Sequence, residues 1–367
     1  MIKWKLLEDN IAQATWDQEL ARFDDCSPFQ SYAWGEYRRG LGWKPYRWAA
    51  FNEADEIVAM MQGYVRRYFL GVGLLWSEGG PVGDVHAWDD SLQQSIQQTA
   101  GLRRVYCRFR CDRARTIDDV LRLRAGGWSR PWAPMTSDFS MTADLSSSEE
   151  QLLARCERNW RRNLKRANEA NLVIHEWLNP DADEIASVYA SMQQVKGIDE
   201  QHSRDEIEQL LKSVNDNLVL YRCEDEKGQL LSLMAAIVVG TKACSVLSAT
   251  SERGREFHSS YAIFWAMLRH CQSLGVTSYD LAGIDPVANP GVYRFKRASG
   301  ATPIELLGEW DWASRPWLRW LGNWAIGQRK RVRQAETVLN QSVVSNIKER
   351  QEKQPLVATQ VQLRRAS

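Results

Sequence analysis

Tyr279-Asp280-Leu281-Ala282-Gly283-Ile284-Asp285-Pro286 is followed, two residues later, by Asn289-Pro290-Gly291-Val292-Tyr293-Arg294-Phe295-Lys296. The first stretch reads as a strand that ends at a glycine turn. The second reads as a short helix with Pro290 and Gly291 near its start, where a missing proline N–H does no harm. Loops at strand ends are where α/β proteins place their sites, because the sheet holds them while solvent still reaches them. Lys296 falls on that helix beside Phe295, where an ammonium can neutralise a phosphate or a developing oxyanion. Asp280 can accept the proton of an attacking amine. The plain alternative is structural: a turn packing two elements, a solvated lysine, and an aspartate that caps its own turn. Spacing alone favours that alternative.

Upstream of this stretch the pattern is helix, hairpin, helix, strand. Ser147 and Glu150 form a candidate capping box before a long helix that runs to about Asn171. Helices are predicted over 183–195 and 203–214. Strands are predicted over 218–223, 230–239 and 242–249, with Glu226-Lys227-Gly228 turning the first two into a hairpin. Ser259 to Leu274 is an amphipathic helix stopped by Gly275, before a strand over 276–281. The N-terminal part is also α/β. A short helix covers 31–41 with Trp34 and Tyr37 on one side, strands cover 43–51 and 57–68, and Glu78-Gly79-Gly80-Pro81-Val82 ends another strand. A helix follows over 88–100, then a strand over 103–109 with Val105 and Cys107 facing one way.

The length of 367 residues suits two cores better than one. Domains are expected at 1–145, with 313–340 returning to it, and at 146–312, followed by a loose tail over 341–367. Each domain is expected to carry its own mixed sheet. The net charge of +1 excludes a bulk polyanion binder, so any phosphate contact must be local. The seven scattered cysteines and five histidines show no zinc spacing, and no cofactor or metal is expected. The N-terminus lacks an apolar signal core, and no apolar run approaches the ~20 residues of a spanning helix. The expectation is a cytoplasmic chain.

Two further features are candidates. Arg158, Arg161, Arg162, Lys165 and Arg166 fall on one face of the 146–171 helix, opposite Leu153, Cys156, Trp160, Leu164 and Ala167. That face suits a phosphate or a tRNA acceptor stem, and equally suits a solvated stripe. Trp310, Trp312, Trp317, Trp320 and Trp324 are interleaved with arginines over 310–333. The segment suits peripheral contact with the inner face of a membrane, or a helix whose Trp317, Leu321 and Trp324 close the core of the first domain.

The 279–296 stretch, continuing to Gly300, resembles the signature of Fem-type peptidoglycan aminoacyltransferases and their GNAT-like relatives, with Ala301 where a second glycine is usual. Three other segments resemble the same family in the same order: Phe29-Gln30-Ser31-Tyr32-Ala33-Trp34-Gly35-Glu36 with Gly42-Trp43-Lys44; Gly79-Gly80-Pro81-Val82; and Arg158 to Ala167. The resemblance spans about residues 29–312. It implies a mixed α/β fold of two tandem GNAT-like acyltransferase domains. It also implies transfer of an amino acid from aminoacyl-tRNA to the stem peptide of a cell-wall precursor. Lys296 matches the lysine that assists transfer. Arg38 or Arg39 matches a basic position that holds the precursor's phosphates, and Lys196 stands where a second phosphate-binding arginine is found. Gly283, Tyr293 and Phe295 accompany Lys296 as candidate substrate contacts. Arg158, Arg161, Arg162 and Lys165 are the candidate donor contacts. No nucleophile–base pair stands out, so direct attack without an acyl-enzyme is expected. Two alternatives stay open. One is acylation of an amino sugar or other small amine from acyl-CoA or another carrier, although Arg253-Gly254-Arg255 is not the usual pyrophosphate loop. The other is a non-catalytic binder of a lipid-linked glycan. No protein partner is expected.

Overall fold

The computed structural model describes residues 2–68, 71–101, 103–196, 202–329 and 331. The first part of the chain forms β1 (Lys3–Leu6), α1 (Asp9–Leu20), α2 (Tyr32–Gly40), β2 (Lys44–Phe51), β3 (Ile57–Arg67), β4 (Val72–Glu78) and β5 (Val82–Gly83). It continues through α3 (Asp90–Ala100), β6 (Arg104–Ala114), α4 (Ile117–Ala125) and β7 (Phe139–Asp144). The second part forms α5 (Glu149–Arg155), α6 (Arg158–Asn168), β8 (Val173–Glu176), α7 (Ala182–Lys196), α8 (Arg204–Val214), β9 (Leu218–Glu224), β10 (Leu230–Val239) and β11 (Lys242–Thr250). Then come α9 (Glu252–Glu256), α10 (Ser259–Ser273), β12 (Ser278–Gly283), α11 (Pro290–Ala298) and β13 (Thr302–Ala313). A last helix covers 316–329.

Local chemistry explains many of these boundaries. Ser31 starts α2 by accepting the Trp34 amide, and Ser203 and Glu206 close a capping box on α8. Asp225 accepts the amides of Lys227 and Gln229, and Gly228 takes φ +76°, which turns β9 into β10.

Separate sheets for the two halves were expected, but the strands form one path: β1-β2-β3-β4-β6-β13-β7-β12-β11-β10-β9-β8, with β5 beside β3. β13 makes the join. Thr302–Glu305 pair with β7, and Leu306–Ala313 pair with β6, with a register shift at Leu306/Gly308. Each half keeps a core of its own, and a third cluster lies at the seam. That cluster mixes Trp34, Tyr37 and Tyr64 with Tyr189, Leu210 and Leu247.

Two helical expectations change. The long helix over 146–171 is broken at Cys156, whose ψ of 141° is extended, and the capping box uses Ser148 and Gln151. The cause is a distant contact. The Glu157 amide donates to Ala298 O at 2.8 Å, and Gly300, at φ +83°, packs so close that a Cβ would sit 2.9 Å from the Arg155 carbonyl oxygen. Cys156 thus leaves the helix, yet it stays buried in the same core cluster as Trp160, Leu164 and Ala167, as expected of the apolar face. Trp310 and Trp312 belong to β13, not to a helix, and Trp317, Leu321 and Trp324 face solvent instead of closing the core.

Candidate functional site

β11 and β12 run parallel for only three pairs, Lys242↔Ser278, Ala243↔Tyr279 and Cys244↔Asp280, and then separate. A bulge drives the parting. On the β10 side, Ala235 and Ala236 face Leu247 and Ser245, which leaves Val246 without a partner and bends β11 away. The wedge opens a cavity of about 530 Å³ lined by Ser245–Ser248 from β11, Leu281 and Ala282 from β12, and Phe295 and Lys296 from α11. Backbone groups left by the parting are satisfied from outside the sheet, as the Ser248 amide donating to Tyr189 Oη at 2.7 Å shows.

Ala282 sits at φ +63°, a left-handed conformation that costs a non-glycine residue about 1 kcal/mol. Its surroundings hold it there. Asp280 Oδ1 accepts the Ala282 amide at 2.8 Å and also the Ser140 hydroxyl. Lys296 Nζ donates to Ala282 O at 3.0 Å and Gly283 O at 2.9 Å. The sequence motif thus becomes a clasp, with the Asp280 carboxylate and the Lys296 ammonium gripping the end of β12 from two sides. Burial lowers the Lys296 pKa, with Asp280 and Cys244 pulling partly the other way. Burial raises the Asp280 carboxyl, and nearby Asp112 adds to it, against Ser140, Ala282 and Arg110. Asp280 is therefore engaged as a cap, the plain alternative read from sequence. Cys244 is fully buried and its thiol is pushed well up, first by burial and then by Asp280 and Asp112, which makes it a poor nucleophile.

A string of charges leads from this clasp across the seam. Asp280 feels Asp112 and Arg110, Arg110 feels Asp112 and Glu78, and Glu78 is bonded by Arg38 and by Trp34 Nε1, the latter at 3.1 Å. Burial pushes Glu78 up, but Arg38 and Arg110 outweigh it and hold it below the ordinary carboxylate range. Arg38 lies over the rings of Trp34, Tyr37 and Tyr64, and its Nε is buried without a partner.

Of the two candidate arginines, only Arg38 reaches the seam. Arg39 is tied to Glu36 and Asp9 on the outer surface. Lys196 ends α7, and its side chain, like all of residues 197–201, lies outside the described residues. Phe295 lines the cavity and packs edge-on against Tyr261 at 5.0 Å and Phe264 at 5.5 Å, while Tyr293 packs on the second-half core. Gly283 contributes a carbonyl. Arg158, Arg161, Arg162 and Lys165 are all exposed on α6, whose buried Trp160 touches Phe295 at 6.2 Å, so the basic stripe lies on the outside of the wall behind the motif.

Sequence reasoning missed Glu78, Arg110, Asp112, Ser140, Tyr189 and His202. Alternation along β6 put Val105 and Cys107 on one face, but the other face, with Tyr106, Arg108 and Arg110, is largely buried as well. His202 lines the cavity edge-on to Tyr189, and burial lowers its pKa, with Glu206 opposing.

Residues 178–325 match the FemAB family. A lipid II:glycine glycyltransferase of Staphylococcus saprophyticus subsp. saprophyticus is 26% identical over 146 residues, which are 38% of this chain and 35% of that protein. This chain thus spans about a third of that relative's length. Among solved structures, one titled as FemX superposes with a TM-score of 0.73 at 15% identity, covering 88% of this chain and all of the other. A tandem GNAT protein from the clavulanic acid biosynthesis pathway superposes at 0.50 with 11% identity, covering 86% of this chain and 99% of its own. At these identities the superpositions establish a shared fold.

Proposed function

We propose that this chain, a Fem-type protein of GNAT-like fold, transfers an aminoacyl group from an ester donor, aminoacyl-tRNA, to an amine of a peptidoglycan precursor. One observation carries the reading. The family match covers residues 178–325, and within it Lys296 stands at the mouth of the wedge between β11 and β12, clasped to the strand end. The named relative moves glycine onto lipid II, and here too the acceptor is an amine of a wall precursor.

In this reading the acceptor amine attacks the ester carbonyl in the wedge. A C–N bond forms, the C–O bond breaks, and the donor leaves as its alcohol, with the proton lost by the amine balancing the one gained by the leaving oxygen. Positioning contributes several kcal/mol, about 7 or more when both partners are well aligned. Lys296, with two N–H bonds held by Ala282 O and Gly283 O, points its third at the oxyanion of the tetrahedral intermediate. Asp280 keeps Ala282 in its left-handed conformation and so fixes the two carbonyls that aim Lys296. It is a positioning residue. Arg38 takes a phosphate oxygen of the precursor at the seam, and Lys196 assists from the end of α7. Arg158, Arg161, Arg162 and Lys165 face the donor's backbone. The acceptor occupies the side of the seam formed by the first half of the chain with the 316–329 helix, and the donor the side formed by the second half. The chain works at the inner face of the cell membrane.

The test offers the purified protein four donor–acceptor pairs: aminoacyl-tRNA or acetyl-CoA, each with a nucleotide-linked wall precursor or with glucosamine. Transfer from the tRNA ester to the precursor is expected. Transfer only from acetyl-CoA would overturn the donor, transfer only to glucosamine would overturn the acceptor, and no transfer with precursor binding intact would make the chain a binder.

A further inference from the structure

The 316–329 helix is mounted the wrong way round for a core helix. Trp317, Trp320, Leu321 and Trp324 follow the i, i+3, i+4, i+7 spacing of a single apolar face. That face points to solvent, with exposures of 48%, 54%, 41% and 51%. Trp320 and Trp324 stack with ring centroids 6.3 Å apart and planes at 8°. The polar side faces the protein. Arg319 Nε donates to Asp311 at 2.7 Å, Asn323 Nδ2 donates to the same carboxylate at 2.6 Å, and Arg108 donates to Asn323 Oδ1 at 3.0 Å. Gly322 rests on the Tyr106 ring, where a Cβ would come within 2.8 Å. Rolling the helix to bury its tryptophans would take Arg319 and Asn323 from Asp311, and Asn323 from Arg108, at side chains 0% and 1% exposed. The outward apolar face is therefore fixed by the buried network beneath it.

The face also has a definite charge. From Ser314 to Ala335 the chain carries Arg315, Arg319, Arg329, Lys330, Arg331 and Arg333, with no Asp or Glu. Arg315, Arg329 and Arg331 are exposed, and Trp132 and Met135 extend the apolar surface beside the helix. The net charge of the whole chain is +1, so this is a local concentration of positive charge. Tryptophans between cations, without carboxylates, match the interface of an anionic bilayer: indoles sit at the headgroup boundary and guanidinium groups meet lipid phosphates. Among the described residues no helix is long and apolar enough to cross a membrane, so contact is lateral.

We propose that this face docks the protein peripherally on an anionic lipid surface through Trp317, Trp320, Leu321 and Trp324, with the flanking arginines supplying attraction. The proposal stands on the surface itself and does not depend on the reaction assigned to the wedge. The full chain is sedimented with vesicles of phosphatidylcholine alone and of phosphatidylcholine mixed with phosphatidylglycerol. The expected result is partition onto the mixed vesicles, weakened by salt, and lost by about tenfold or more in Trp317→Ser/Trp320→Ser/Trp324→Ser. Thermal melts of the variant should match the parent, because the replaced side chains are exposed, and Trp320→Ser alone provides a milder second variant. Equal partition of parent and variants would overturn the proposal, as would absence of binding to the mixed vesicles. A concentration-dependent dimer abolished by the triple variant would assign the face to a second copy. Binding that emerges only after residues 332–367 are removed would assign it to the tail. Either result overturns the proposal.

Discussion

Both halves of the molecule contain a parallel strand pair joined through a helix, and the two pairs end differently. β4 and β6 stay in register through seven pairs, from Val72↔Arg104 to Glu78↔Arg110. β11 and β12 part after three. In the first half, Gln30 bridges β4 to β3 beside the end of that pair. Its Nε2 donates to Gln62 O at 3.1 Å, Ser77 Oγ at 3.2 Å and Glu78 O at 2.7 Å, and its Oε1 accepts the Gln62 amide at 2.6 Å. In the second half, the end stays open, its freed amide is held by Tyr189, and its strand end is gripped by Asp280 and Lys296. One architecture thus yields a sealed pair that braces the seam and an open pair that can admit a ligand. The same contrast separates two carboxylates. Glu78, on the sealed side, is held ionised by Arg38 and Arg110 despite its burial. Asp280, on the open side, is driven by burial towards its neutral form.

The contrast breaks most easily at Lys296. If the open pair does the chemistry, Lys296→Ala should lower kcat by roughly 10²- to 10³-fold, with KM for the acceptor changing much less. Lys296→Arg should restore part of the loss. Because the Lys296 pKa is lowered, activity of the parent should fall on the alkaline side before pH 10.5, and the arginine variant should keep its residual rate to higher pH. A rise in KM at constant kcat would instead assign Lys296 to ground-state phosphate binding.

The sealed side should respond in stability. Glu78→Gln leaves Arg38 and Arg110 without their shared partner, and a cost of about 2 kcal/mol is expected, below the 3 to 5 of a fully buried pair because solvent reaches the site in part. The pH dependence has opposite signs on the two sides. Glu78 has a lowered folded pKa, so its contribution is present above the ordinary glutamate value of 4.5 and is lost as pH falls through the folded value. Asp280 has a raised folded pKa, so its contribution is present below 3.8 and is lost as pH rises through the folded value. Chemical denaturation from about pH 3 to about pH 7 should therefore show the Glu78→Gln deficit growing with pH and the Asp280→Asn deficit shrinking. Parallel trends would erase the distinction.

The smallest stability effect is expected on α6. Arg161→Ala/Arg162→Ala/Lys165→Ala should stay within about 0.5 kcal/mol of the parent in stability, since all three side chains are exposed. If the stripe meets the donor, tRNA binding should weaken, and its dependence on log salt should become shallower by about 2 to 3 units. Unchanged binding would leave a solvated face.

Much of this contrast was legible in the chain. Tyr279–Gly283 and Pro290–Ala298 announced the strand, the turn and the lysine, and Glu226-Lys227-Gly228 announced the hairpin, because those signals are local. What escaped depends on distant partners. The break at Cys156 exists because Gly300 packs against Arg155 across the fold. Period-two alternation marks two faces of β6 without saying whether either is wet, so nothing local announced that Arg108 is buried against Glu309 at 3.0 Å. The tryptophans of the 316–329 helix had core spacing, yet the inward side was decided by Asp311, a residue of β13 that the sequence reading had merged into the Trp/Arg segment.

The shared strand has a practical corollary for anyone who would divide this protein into pieces. β13 comes near the end of the described chain, yet it supplies the outer neighbour of β6 and the carboxylates beneath Arg108. A fragment ending at 145 would keep the arginine and lose its counter-ion, and would offer β6 as a bare edge to any other strand. Two polypeptides made by cutting in the 145–148 loop should complement each other only when the second retains residues 302–313. The two halves then count as one unit of inheritance and of unfolding.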